Sequence, residues 1–119
     1  MNTDDNLLRA ALSEGASILI SLHTPREKMW GVLGDITAAG VYLLGIDLNT
    51  FDDWLRMVAR GERNIDLNHL FFPMWRVERV MLDQTLEEIP SLSDRFYQTT
   101  GYTIGQYLGL EEIPQPNEN

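Results

Sequence analysis

The sequence predicts a mainly β domain: a small, strongly bent, five-stranded antiparallel barrel with an N-terminal helix, one inserted helix and a C-terminal helical tail. Three observations carry that prediction. Apolar residues alternate with a period of two in segments between residues 16 and 46 and again over 70–83, which places them on one face of extended chain. Between these blocks, residues 51–60 switch to the helical period. Gly31 and Gly34 stand inside the second extended segment, where a missing side chain favours a bulge or a barrel corner.

The elements follow in chain order. Thr3 precedes Leu7, Leu8, Ala11 and Leu12, spaced to share one helical face, with Asp4 and Asp5 at the N-terminal end and Gly15 as a stop; residues 3–14 read as a short amphipathic helix that needs a docking surface. In residues 16–23, Ile18, Ile20 and Leu22 share one face of a strand, and Thr24-Pro25-Arg26-Glu27 supplies a tight turn with Pro at its second position. Residues 28–35 form the second strand, Thr37-Ala38-Ala39-Gly40 the next turn and residues 41–46 the third strand. Thr50 and Asp53 have the spacing of a capping box, Phe51, Trp54, Leu55 and Val58 form an apolar stripe, and Gly61 closes the helix. After a polar loop over 61–69, residues 70–83 read as two short strands around a bend, because Pro73 cannot donate to a ladder. Pro90, a cap at Ser91 or Ser93, and Leu92, Phe96, Ile104, Tyr107 and Leu108 predict a helical segment broken near Thr100-Gly101. Residues 1–110 therefore read as one domain, and 111–119 as a frayed acidic tail.

Composition narrows the functions. The 119 residues carry 9 Lys+Arg against 18 Asp+Glu, a formal charge of −9, which opposes general binding to phosphate backbones or anionic membranes. With no cysteine there is no disulfide, thiolate metal site or Cys nucleophile. The acidic start reads as neither signal peptide nor anchor, so the expected setting is cytoplasmic.

The segments ILISLHTPREKMWGVLGDITAAGVYLLGID and FFPMWRVERVML resemble the Sm-like (LSm) pattern of small SH3-like barrels. The first carries a strand, a turn, a G-x-L second strand (Gly31, Leu33) and an apolar third strand; the second carries a closing pair of strands. The chain also resembles a group of uncharacterised bacterial proteins with the same helix-bearing layout. The resemblance implies assembly through pairing of open strand edges between subunits. It does not extend to RNA binding residue by residue. Where RNA-binding members place an Asp and an Asn between strands two and three, this chain has about Thr37 and Val41, and where bacterial host factors carry Lys-His it has about Met74-Trp75.

Candidate chemistry is sparse. His23 and His69 lack any accompanying metal or general-base spacing and read as polar residues at a strand end or loop. Asp47, Asp52, Asp53 and Asp66 lack a calcium-loop pattern and read as solvated acids and caps. No catalytic, metal or cofactor site is expected, and the expected activity is non-enzymatic self-association or protein interaction, with Val77, Val80, Phe71, Phe72 and Trp54 as interface candidates. The alternative is an RNA-binding ring using Arg76, Arg79 and Trp75 with a non-standard base-binding site, Arg56, Arg60 and Arg63 making the middle of the chain less acidic than its ends.

Overall fold

The structure, a computed structural model, describes residues 11–62 and 67–112. Most of the helix expected over 3–14, and residues 113–119 of the tail, lie outside the described residues. Five antiparallel strands form one sheet: β1 (Ser17–Leu22), β2 (Glu27–Ile36), β3 (Gly40–Asp47), β4 (Asn68–Pro73) and β5 (Val77–Leu82), in the order β4-β3-β2-β1-β5. Three helices accompany them among the described residues, α1 (Phe51–Ala59), α2 (Leu92–Thr100) and α3 (Ile104–Tyr107). None of these is long and apolar enough to cross a membrane.

The period-two pattern gives the sheet two apolar faces. Its inner face carries Ile18, Ile20 and Leu22 of β1, Met29 and Leu33 of β2, Val41 and Leu43 of β3 and Phe72 of β4, all buried together. Trp30 and Val32 of β2 and Ile46 of β3 point to the outer face, where they pack with Phe51, Trp54 and Leu55 of α1, Phe96 of α2 and Ile104 of α3. Burying both faces requires the sheet to curl around its inner cluster while the helices cover the outside.

How far it curls follows from one connection. Pro73 pairs with Gly40 near the β2–β3 turn, whereas Val77 pairs with Leu22 at the β1–β2 hairpin. Those points lie at opposite ends of β2, whose 10 residues would separate them by about 30 Å in a flat sheet. Only a single 3-10 turn, Met74–Arg76, joins Pro73 to Val77, and four residue steps reach at most about 14 Å. The turn is tied at both ends, Met74 N donating to Ala39 O and His23 N donating to Arg76 O. It works as a strap across the mouth of a strongly bent sheet.

A closed barrel, however, is not formed: β4 pairs only with β3 and β5 only with β1, so the ladder stays open between them. The physical reason lies in the strap, which takes the chain from one sheet edge to the other through a corner instead of a hairpin. Pro73 ends β4 as expected for a residue without an amide proton. The expected capping box at Thr50 and Asp53 is also absent. A 3-10 turn, Leu48–Thr50, runs directly into α1, leaving Thr50 in helical backbone with no side-chain cap, while Asp47 accepts from Asn49 N. Gly61 stops α1 as expected, with φ +80°.

Asp83, just past β5, fixes the tail to the sheet. Its carboxylate accepts from Leu92 N at 2.8 Å and Ser93 N at 2.9 Å, in the first turn of α2, and from Ser17 Oγ at 2.8 Å and Trp30 Nε1 at 3.2 Å. Ser91 caps the same helix through Asp94 N, and Gly101, at φ +82°, ends it. Asp83→Ala is expected to cost about 2 kcal/mol by leaving several part-buried donors without an acceptor. Faster amide exchange across α2 than across α1 would accompany that loss, and unchanged exchange in α2 would contradict the anchoring role.

Candidate functional site

Two strand edges are the exposed backbone feature of the fold. Among the described residues, no backbone hydrogen bond joins the outer edge of β4 or β5 to another element. The C-terminal helices, which could have covered an edge, pack instead on α1: Phe96 stacks on Trp54 at 5.3 Å between ring centroids, and Tyr107 meets both rings edge-on.

The interface candidates divide by face. Phe72 and Trp54 are buried within the inner and outer cores respectively. Val77 and Val80 are half-buried against the inner cluster, so they serve the fold first. Phe71 alone of the five is well exposed, on the outer face of β4, with its ring 4.7 Å from that of Tyr42 on β3. Met81, exposed on β5, is its counterpart at the opposite edge. Tyr42 and Met81 were not singled out from the sequence, yet the alternation signals them: each is out of phase with inward neighbours, Val41 and Leu43 for one and Val80 and Leu82 for the other. Beside the Tyr42–Phe71 pair lies a shallow, mainly apolar groove of about 550 Å³, bordered by Val32, Leu44, His69 and Leu110.

The basic candidates behave differently from one another. Arg76 donates to Glu27 Oε2 at 3.2 Å and to Pro25 O at 3.0 Å, bracing the strap against the β1–β2 hairpin. Arg79 is exposed on β5. Trp75 projects from the strap at 63% exposure, edge-on to His23 at 6.3 Å. Arg56 is paired with Asp53 within α1, and Arg63 lies outside the described residues.

His23 and His69 are both exposed and sit on different elements, and no three His, Asp or Glu side chains among the described residues are grouped to hold a metal ion. Asp52 is paired with Arg95 and Asp53 with Arg56, which leaves neither acid aimed at a common point, while Asp66 lies outside the described residues. Compared with protein-family models, curated proteins and solved structures, the chain matches none. The site therefore rests on its own geometry: two open edges, β4 with exposed Phe71 and β5 with exposed Met81 beside the charged Glu78 and Arg79.

Proposed function

We propose that this chain is a non-enzymatic, Sm-like small-barrel module that works by adding strands to its open edges, from further copies of itself or from a protein partner. The observation that carries the reading is the strand order, which leaves β4 and β5 each without a second neighbour. Unpaired edges of this kind are normally blunted by lysine, proline or a covering element. Here the chain's lysine count is one, Lys28 on β2, Pro73 marks only the end of β4, and the tail packs on the outer face, so β4 is the less protected edge, while β5 carries the exposed charges Glu78 and Arg79. A head-to-tail contact between unlike edges closes into a ring when its rotation allows. A cytoplasmic setting fits a chain without cysteine.

The expected result in sedimentation is a species several times the 13.6 kDa chain mass without nucleic acid, persisting at moderate salt. Phe71→Lys and Met81→Lys place charge beside the edges on exposed positions and should shift the mass toward a monomer. A 13.6 kDa species for the unmodified chain at high micromolar concentration would defeat self-association. Retention of mixed RNA on filters at moderate salt would favour the RNA-binding ring, a reading weakened by the engagement of Arg76 with Glu27 and the hairpin carbonyls.

A further inference from the structure

Charge is distributed unevenly over this acidic protein. Among the described residues, Arg56, Arg76 and Arg95 are in ion pairs, whereas Arg26, Lys28, Arg60 and Arg79 form none. Three of those four, Arg26, Lys28 and Arg79, line a single cleft of about 390 Å³. The register explains why they meet. Ser21 of β1 pairs with Lys28 of β2 on one side and with Arg79 of β5 on the other, so the three side chains stand in a row on the outer face with neighbouring Cβ atoms about 5 Å apart. The adjacent Trp30 row is covered by α1, while Lys28 and Arg79 remain exposed. Asn49, from the turn after β3, adds an amide to the wall.

Three carboxylates also border this cleft: Glu27, Asp47 and Glu78. Glu27 is engaged by Arg76, and Asp47 accepts from Asn49 N. With Arg76 included, the local formal charge is 4 − 3 = +1, in a chain of −9. The lining alone is balanced, so the excess comes from Arg76 offsetting Glu27, and a locally balanced-to-cationic spot on an acidic chain favours small anions over long polyanions, which must also cross acidic surface.

We propose that this cleft binds the phosphate monoester group of a small soluble molecule. A tetrahedral monoester has three terminal oxygens and carries close to two negative charges, so it can take Arg26, Lys28 and Arg79 from different directions and still accept from Ser21 or Asn49. A carboxylate has only two oxygens, in one plane. The volume falls within the range of small-molecule sites, about 300 to 1,000 Å³. The proposal does not require self-association: Ser21 and Lys28 stand on the interior strands β1 and β2, and Arg79, although on the edge strand β5, stands in the same row on the outer face of the sheet.

Amide shifts of the full chain, followed on addition of inorganic phosphate and then phenyl phosphate against sodium chloride at matched ionic strength, test it. Saturable shifts centred on Ser21, Lys28 and Arg79 are expected for both phosphates and not for chloride. Lys28→Gln and Arg79→Gln should each weaken binding about tenfold or more, the effect of losing one charge-assisted hydrogen bond, with spectra otherwise unchanged. Arg60→Gln removes an unpaired cation elsewhere and should leave binding intact. Shifts that track ionic strength alone, or that survive Arg79→Gln at full affinity, would overturn the site. Tighter binding to phosphatidylcholine vesicles carrying phosphatidic acid than to phenyl phosphate would overturn its assignment to a soluble ligand.

Discussion

Trp54→Ala is expected to lower stability by about 3 to 5 kcal/mol, the usual cost of deleting a buried large aromatic. Trp54 is 2% exposed and sits where β2, α1, α2 and α3 meet. Its ring lies 5.7 Å from that of Trp30 on β2, 6.0 Å from Phe51 on α1 and 5.3 Å from Phe96 on α2. Removing it opens a cavity that cannot collapse without moving the sheet or the tail, so the loss includes both transfer and cavity contributions. Chemical denaturation measures the effect, with Trp75→Ala as the comparison: that ring is 63% exposed and should change stability by no more than about 0.5 kcal/mol. Equal effects for the two tryptophans would mean that α1 is not seated on the sheet as described.

Gly31→Ala should be nearly as damaging, through a different mechanism. Gly31 faces Gly45 across the β2–β3 ladder. A Cβ at Gly31 would lie 2.3 Å from Leu44 O and 2.6 Å from Gly45 Cα, both backbone atoms that can retreat only if the strands separate. Overpacking typically costs about 1 to 3 kcal/mol, and here the clash with the ladder itself sets the expected loss at the upper end, about 3 kcal/mol. Gly34→Ala supplies the contrast. Its added Cβ would meet Tyr42 O at 3.3 Å, at an exposed site where the β2–β3 register shifts between Leu33 and Asp35. A change within about 1 kcal/mol is expected there, since alanine also restricts the unfolded chain. If the denaturation midpoints of the two variants coincide, close strand approach at Gly31 is not what bends the sheet.

The two glycines mark how far sequence reasoning reached. Alternation around Ile18, Ile20 and Leu22 placed the first strand, the Phe51–Val58 stripe with Gly61 placed the inserted helix, and Pro73 placed the break between the last two strands, because each of these signals is local. Face membership was legible for the same reason. What a residue's face lies against was not. Val77 and Val80 read as edge side chains but pack inward, and Arg76 read as a free cation but braces Glu27 from 49 positions away in the chain. Asp83 was unremarkable in sequence, since its role at the first turn of α2 depends on where the tail folds back. The five antiparallel strands and the bend were legible because they are local properties, whereas closure into a barrel, which does not occur, depends on whether β4 and β5 lie side by side. The candidate edges were foreseen as segments with Phe71 among their named residues, whereas Tyr42 and Met81 carried only the signal of being out of phase with their inward neighbours.

The pairing of β5 with β1 has a further consequence, for the order of assembly. Ile18 pairs with Leu82, which are 82 − 18 = 64 positions apart, while the β1–β2 and β2–β3 hairpins join near neighbours. Closing so long a loop carries an entropic cost that shorter loops avoid, and topologies rich in such contacts fold slowly. The hairpins and α1 lie inside the loop and can order first, shortening the effective span before its ends meet. Until they do, the sheet ends at β1 in place of β5, so the nascent chain exposes an edge that the finished protein hides.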